Sequence, residues 1–404
     1  MSSTNQPSPR QPRIGLYLGV SPDMGGVYQY SQALLDAYLA LPGGQAAAVV
    51  YGHTSWEGRT GNTLAVGVEP RGVRRSLVLG TLGTLSGLPM SRWRRGLWRL
   101  DPVARALVCA DCDLWLVSAH SFVCTQLPVR AVGTVHDLMH RYERRFRRDT
   151  PWHTYRWRER VFRNIARYAH AVLTESDLGR DQFVESYGAD PRRVFSLPFI
   201  PPPLPDRPAP GFASRYDLPD RFLFYPAQFW EHKNHARLLR ALAAVRRDCP
   251  DAHLALAGGL RLGYEAARRQ ASRLGLASAV TFLGYVPDAD LAELYRRACG
   301  LVYPTFYGPT NIPPLEAFRL GCPVAASGIY AMPEQLGDAA LLFDPSSETE
   351  MASAMRRLWT DDALCRTLVE RGRARAAAWG PPQFAARLAE IVARLVDGER
   401  RPGS

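Results

Sequence analysis

The sequence predicts an α/β protein built from two doubly wound, parallel-sheet (Rossmann-like) domains that face a central cleft. Three observations predict it. Short apolar runs of strand length alternate with amphipathic helical stretches from residue 14 to residue 359, and such alternation implies parallel sheets covered by helices on both faces. The alternation breaks once, at 198–210, where PFIPPPLPDRPAP is stiff enough to connect two domains. The length of 404 residues suits two domains of roughly 100 to 200 residues each.

The elements follow in order. Residues 1–12, MSSTNQPSPRQP, are polar and proline-rich, which reads as a disordered tail and not as a signal peptide. A strand at 14–20, the turn-prone SPDMGG and an amphipathic stretch at 27–41 give strand, glycine loop and helix. Gly25 and Gly26 lie in that loop, where glycine lets the backbone approach a phosphate or sugar, although Gly-Gly is also an ordinary turn. Further strands are expected at 46–51, 114–118, 132–135 and 171–174, with helices at 152–168 and 177–187. His120 follows the third of these five strands, and His136 and Asp137 follow the fourth. Carboxyl ends of strands face the cleft in such folds, so these histidines can hydrogen-bond a ligand or manage a proton near neutral pH, or else simply support the structure.

After the connector the pattern resumes. Strands are expected at 222–225, 253–257, 280–283, 300–303, 323–326 and 340–343, and helices at 236–247, 264–274, 290–298, 313–320 and 348–359. The expected boundaries are a first domain at 13–200, a linker at 201–211, a second domain at 212–380, a C-terminal helix at 381–397 that packs back toward the first domain, and a tail at 398–404.

Composition narrows the function. With 46% apolar and 22% charged residues the chain is neither disordered nor collagen-like. The net charge is +12, of which residues 1–200 carry +9 and residues 201–404 carry +3, so an anionic partner belongs to the first half. Of the 50 basic residues 49 are arginine and one, Lys233, is lysine. A general arginine bias is weak evidence for nucleic-acid binding, and nucleic acid is not the expected partner. The seven cysteines are odd in number and scattered, unlike a secreted disulfide framework, which points to a reducing cytoplasm. The most apolar window, 77–90, has 14 residues and is too short to cross a bilayer. Next to it stands SRWRRGLWRL at 91–100, and nine arginines with interleaved aromatics fill 141–163. Residues 77–100 and 141–163 therefore suit anionic lipid headgroups at the inner face of the cell membrane, the alternative being a solvated helix surface. Cys109, Cys112, His120 and Cys124 are nominal zinc ligands with poor spacing, Asp111-Cys-Asp113 precedes a strand where a metal motif would follow one, and Asp288 and Asp290 read as a helix cap. No metal and no cofactor is expected.

The stretch 303–345, YPTFYGPTNIPPLEAFRLGCPVAASGIYAMPEQLGDAALLFDP, carries the chemistry. Asn311 can cap a helix whose first turn holds Pro313 and Pro314, and a helix start attracts phosphate. Glu316, placed in that first turn, either grips a ribose or caps the helix by favouring its dipole.

PPLEAFRLGCPVAAS followed by MPEQLGDAALLFDP resembles the donor-binding signature of the family-4 retaining glycosyltransferases of GT-B fold, of the bacterial polysaccharide mannosyltransferase type. FLFYPAQFWEHKNHARLLRALA and VTFLGYVPDADLAELYRRACGLVYPT extend the resemblance upstream, while SPDMGG, VGTVHDL and AVLTESDLGRDQF are similar more loosely. The resemblance implies a GT-B protein with an acceptor-binding first domain and a nucleotide-sugar-binding second one. It places Lys233 on the donor diphosphate, and the isolation of this lysine agrees, since a compact ammonium is not interchangeable with a planar guanidinium. It places Glu316 on the ribose, with Gly308, Pro309, Thr310, Asn311, Ile312, Pro313 and Leu315 as the donor loop and Glu334 in the donor pocket, where a solvated helix end is the alternative. His136 with Asp137 would serve the transferred sugar, and Gly25, Gly26 and His120 would line the acceptor side. Two positions depart from the family: Gln228 stands where an arginine is usual, and Gly308 where the first glutamate of a Glu-x7-Glu pair is usual. The implied reaction moves a hexose from a GDP-mannose-like or UDP-linked donor to a glycan or lipid-linked acceptor, with retention, in cell-surface polysaccharide synthesis. The leaving diphosphate, held by Lys233 and the amides near 312–315, would assist the incoming hydroxyl. A GT-B sugar-nucleotide epimerase and a non-catalytic nucleotide- or membrane-binding protein remain as alternatives.

Overall fold

Two parallel sheets organise the chain, whose computed structural model describes residues 10–86, 88–146, 152–205, 207, 210–259, 263–308 and 310–397. The first sheet contains β1 (Ile14–Leu18), β2 (Ala46–Tyr51), β3 (Leu64–Gly67), β4 (Leu114–Val117), β5 (Arg130–Val135), β6 (Ala171–Thr174) and β7 (Val194–Ser196), in the order β3-β2-β1-β4-β5-β6-β7. The second contains β8 (Leu223–Pro226), β9 (Leu254–Ala257), β10 (Val280–Gly284), β11 (Gly300–Tyr303), β12 (Val324–Ser327) and β13 (Ala340–Phe343), in the order β10-β9-β8-β11-β12-β13. The strand order reverses between β1 and β4 in one sheet and between β8 and β11 in the other, and ligands of doubly wound folds bind beyond the carboxyl ends of strands at such a reversal. The glycine loop follows β1 and His120 lies beyond β4. Lys233 lies beyond β8 and the 304–311 loop follows β11. Both reversals thus carry residues singled out from the sequence.

The helices in the first half are α1 (Gly26–Leu39), α2 (Pro70–Leu85), α3 (Met90–Arg95), α4 (Pro102–Cys109), α5 (Val123–Gln126), α6 (Met139–Tyr142), α7 (Trp152–Tyr168) and α8 (Asp177–Tyr187). Those in the second half are α9 (Phe212–Arg215), α10 (His235–Val245), α11 (Tyr264–Arg273), α12 (Asp288–Arg297), α13 (Ile312–Leu320), α14 (Met332–Leu336), α15 (Glu348–Thr360), α16 (Asp362–Ala378) and α17 (Pro381–Asp397). Their ends follow local chemistry. Asp101 accepts hydrogen bonds from the Val103 and Ala104 amides and Pro102 opens α4, while Ser176 accepts from the Gly179 amide and Gly188, left-handed at φ 62°, closes α8, each a recognised cap.

The chain crosses between the domains twice. After the connector, α16 leads back to the first domain and α17 is built into it. Phe384, Leu388, Ile391, Val392 and Leu395 recur at helical spacing and join Tyr30, Leu34 and Tyr38 of α1 in one buried cluster with β1. Each such side chain contributes roughly 1.5–3 kcal/mol on burial, so α17 is integral to that core. The Trp379 indole N–H donates to the Pro198 carbonyl at 3.0 Å and joins the two crossings.

The periodicity does not announce β3, β7, α2 or α16. The two strands are short sheet edges, and β3 leaves Leu64 exposed. Helix α2 turns Leu77, Val78, Leu82 and Leu85 to solvent and packs through Ser76, Gly80, Gly83 and Thr84, the reverse of the pattern from which a core-facing helix is read.

Candidate functional site

The second domain's half of the site is built around Lys233. The Tyr225 hydroxyl donates to the Lys233 carbonyl at 2.7 Å. Asn234, buried and left-handed at φ 63°, donates to the carbonyls of Pro304 and Pro345 at 3.0 and 2.8 Å, which ties the loop after β8 to the loops after β11 and β13. The Lys233 ammonium donates to the Tyr303 hydroxyl at 3.0 Å, and that hydroxyl donates to Asn311 Oδ1 at 3.0 Å. A cation is thereby held against the start of α13.

Helix α13 differs from the sequence expectation in two ways. Asn311 occupies the N-cap position with extended backbone but its side chain makes no capping bond; it is occupied by Tyr303. Glu316 lies beyond the first turn, which contains no acidic residue. A helix start leaves four amides without intrahelical partners. Here two of those positions are Pro313 and Pro314, and the Asn311 amide is taken by Gln335 Oε1 at 3.0 Å while Gln335 Nε2 donates back to the Asn311 carbonyl at 2.8 Å. Proline has no N–H, so of the expected group of amides over 312–315 those of Ile312 and Leu315 are the ones able to donate. Gln335 is a site residue that the sequence did not single out; its only signal is its place in MPEQ.

Glu316 is 4% exposed and its Oε2 accepts from the Tyr295 hydroxyl at 2.7 Å. Burial raises its pKa to about 7, against the opposing effect of the Tyr295 hydrogen bond. Gln228 is exposed and accepts from the Trp230 indole at 2.9 Å. Gly308 has φ 101°, which an L side chain would rarely adopt. Pro309 lies outside the described residues.

In the first domain His136 is 6% exposed, and its Nδ1 lies 2.6 Å from Glu175 Oε1. Asp137 was expected to face the sugar. Instead its Oδ1 pairs with the Arg158 guanidinium at 2.7 Å and accepts from the Met139 amide at 3.0 Å. Burial alone would raise the Asp137 pKa, but Arg158, His120 and that amide outweigh it and hold the group at about 2. Arg158 also bonds the Tyr307 hydroxyl, so Asp137 anchors a cationic link to the second domain. His120 stacks edge-on against His136 and Phe162, and burial, with Arg158 and His136 nearby, lowers its pKa to about 3. It is neutral at pH 7.

The two halves touch. Gly25 has φ 56° and opens to free space, and a Cβ on Gly26 would lie 3.1 Å from Ile312 Cδ1. Ile312 and Leu315 pack against the first domain's core. Thr310 Oγ1 donates to Glu175 Oε2 at 2.8 Å, Tyr330 bonds Glu143, and Arg145 lies over Phe306 at 4.4 Å. Glu334 reaches across to the other domain: its carboxylate accepts from the Asp177 and Leu178 amides at 2.9 and 3.2 Å, where the N-terminal end of α8 favours an anion.

One cavity adjoins this contact and another lies within the first domain. The first, of about 640 Å³, lies between the crossings, against Phe199, Ile200, Phe318 and Trp379. The other, of about 600 Å³, opens at the carboxyl ends of β1, β2 and β3, with Ser21, His53, Glu57, Glu69 and Arg74 on its walls; Ser21 opens the SPDMGG loop, and the other four form no motif in sequence. Among the described residues no three His, Cys, Asp or Glu side chains are placed to hold a metal ion, and Cys109, Cys112 and Cys124 are free thiols. The basic segments are partly structural. Trp93 is buried, Arg94 donates to the carbonyls of Thr125 and Tyr168, and Arg141, Arg145 and Arg158 are ion-paired.

Comparison with known proteins agrees with this architecture. Residues 211–375 match the family described as glycosyl transferases group 1. The chain is 27% identical over 283 residues, 69% of its own length and 74% of the relative's, to O-antigen chain mannosyltransferase B of Escherichia coli. It is 28% identical over 194 residues to the serotype-specific mannosyltransferase WbdA of the same species, a match covering 46% of this chain but 23% of that protein. The structure of HepE from Anabaena in complex with UDP and glucose superposes with a TM-score of 0.67 at 19% identity over 94% of this chain and 99% of that one, a likeness of fold. Residues 211–375 therefore carry the likeness to the group 1 glycosyl transferases, and the chain is a glycosyltransferase of GT-B fold.

Proposed function

We propose that the chain moves a hexose, mannose in the first instance, from a nucleoside-diphosphate sugar to a glycan or lipid-linked acceptor in the synthesis of a cell-surface polysaccharide, with retention at the anomeric carbon. The observation that carries this reading is the Lys233–Tyr303–Asn311 chain at the start of α13. An ammonium beside a helix N-terminus suits a diphosphate, whose charge grows as the sugar departs. The mannosyltransferase names of the relatives support the sugar and the polysaccharide. Glu316 has one carboxylate oxygen engaged with Tyr295, leaving the other for a ribose hydroxyl. The cavity beyond β1–β3 suits the acceptor. No metal or other cofactor enters this reading.

The acceptor's carrier and the enzyme meet at a membrane surface. Exposed Leu77, Val78, Leu82 and Leu85 of α2 stand beside exposed Arg71, Arg74, Arg75, Arg92 and Arg95. On α7, which packs on α2, Arg156, Arg160, Arg163 and Arg167 form one exposed stripe. Apolar side chains rimmed by arginine suit an anionic bilayer. Among the described residues no helix is long and apolar enough to cross a membrane.

A thermal-shift screen with GDP, UDP, ADP, TDP and CMP and their common sugars tests the donor reading, since a ligand that binds only the native state raises its melting temperature. The expected result is a shift with one nucleoside diphosphate that is lost in Lys233→Ala. A screen with no shift at all removes the donor-site assignment.

A further inference from the structure

Among the described residues, Tyr30 Oη, Ser118 Oγ, His120 Nδ1 and His136 Nε2 are buried polar atoms without a partner. Three of them, on Tyr30, His120 and His136, share one place. Ser118 and His120 follow β4, His136 follows β5, and the His136 ring meets those of Tyr30 and His120 edge-on at 5.2 and 5.7 Å. Native proteins leave few such atoms unsatisfied, so a cluster of them at the carboxyl end of a sheet marks where a ligand's hydroxyls complete the set.

His136 is the member whose state the structure defines. Its Nδ1 faces Glu175 Oε1 at 2.6 Å, and a carboxylate only accepts, so a proton belongs on Nδ1, and in the neutral imidazole Nε2 is left as an acceptor. The other Glu175 oxygen accepts from Thr310 of the opposite domain at 2.8 Å. The loop 304–311, PTFYGPTN, contains no carboxylate, and Gly308 adds no side chain to it. The carboxylate that meets this loop comes from Glu175, whose side chain is 11% exposed. Capping of α8 does not need it, since Ser176 makes the capping bond.

We infer that Glu175 is a positioning residue for sugar transfer: it holds His136 in the Nδ1–H tautomer, with Nε2 presented to a hydroxyl of the transferred sugar, in the arrangement that Thr310 completes from the other domain. The inference rests on the glycosyl-transfer reading for its function, but its geometry is tested separately. In full-length protein with 15N-labelled histidine, long-range proton–nitrogen correlation reads the His136 tautomer, with the signal assigned by its loss in His136→Gln. The wild type and Glu175→Gln, whose amide oxygen still accepts, are expected to show Nδ1–H, and Glu175→Leu is expected to lose it. An Nε2–H wild type, or a tautomer unmoved in Glu175→Leu, overturns the inference. The second readout is release of nucleoside diphosphate from GDP-mannose or UDP-glucose. A misplaced contact to the reacting sugar costs roughly 100-fold in rate, so Glu175→Leu should lower kcat by about that factor with the donor KM unchanged, and Glu175→Gln should recover most of it. A Glu175→Leu enzyme with wild-type kcat also overturns the inference. A wild type inert toward every nucleotide sugar instead removes the transfer reading, and the tautomer measurement still decides the pairing.

Discussion

Lys233 and Glu316 are the two residues whose chemistry can be interrogated one side chain at a time. Removing a preorganised charge donor from a developing anion costs about 100- to 1000-fold in kcat, the loss expected for Lys233→Ala in a donor-hydrolysis assay. Lys233→Arg should recover little of it, because a planar fork cannot sit as the ammonium does against Tyr303. Glu316 makes a stability prediction with a defined sign. Its pKa in the folded protein is about 7, above the usual 4.5, so the native state holds the proton more tightly than the unfolded chain does. Its contribution is complete below pH 4.5 and lost as pH rises to about 7, by up to roughly 3 kcal/mol at 1.36 kcal/mol per pKa unit. Denaturant titrations of ligand-free protein at pH 5 and pH 8 should show this loss in the wild type and not in Glu316→Gln. Lysine 233 was legible because composition isolates it. Glu175 and Gln335 were not, since nothing in TESD or MPEQ names their partners, Thr310 and Asn311, which lie 135 and 24 positions away.

At the scale of elements, the alternation of strand and helix exposes the central strands, because β1, β4, β6, β8, β9, β11 and β12 are buried on both faces and read as continuous apolar runs. Helix α2 is the instructive exception. Its apolar residues were visible, but a helix is read from sequence by a stripe that faces a core, and this stripe faces outward. That exposure predicts function. Each apolar side chain buried in a bilayer interface gains roughly 1.5–3 kcal/mol, whereas exposed substitutions change folding stability by about 0.5 kcal/mol or less. The triple change Val78→Ser, Leu82→Ser, Leu85→Ser should therefore abolish co-sedimentation with vesicles containing phosphatidylglycerol while leaving the melting temperature in place. Retained sedimentation would take α2 out of the membrane contact.

Across the whole molecule, the two-domain plan and the cleft were legible from the proline-rich break and the two strand series. The contacts that close the cleft were not, because Glu334 on Asp177 and Leu178, Tyr330 on Glu143 and Arg158 on Tyr307 join residues more than a hundred positions apart. The same holds for α17. Leu388 is fully buried in the first domain's core, and truncating such a leucine costs about 2–5 kcal/mol. Leu388→Ala should thus lower amide-exchange protection in β1 and α1, about 350 to 370 positions distant in sequence, and spare β8–β13; weakened protection confined to α17 would show that the helix is only laid on the surface. The position of α17 also sets a timetable. At a ribosomal rate of roughly 5–20 residues per second, the strands of the first sheet leave the exit tunnel on the order of 10–40 seconds before residues 384–395 do. For that interval Tyr30, Leu34 and Tyr38 lack the part of their cover that α17 supplies, and the first domain's core stays incomplete until the last helix arrives.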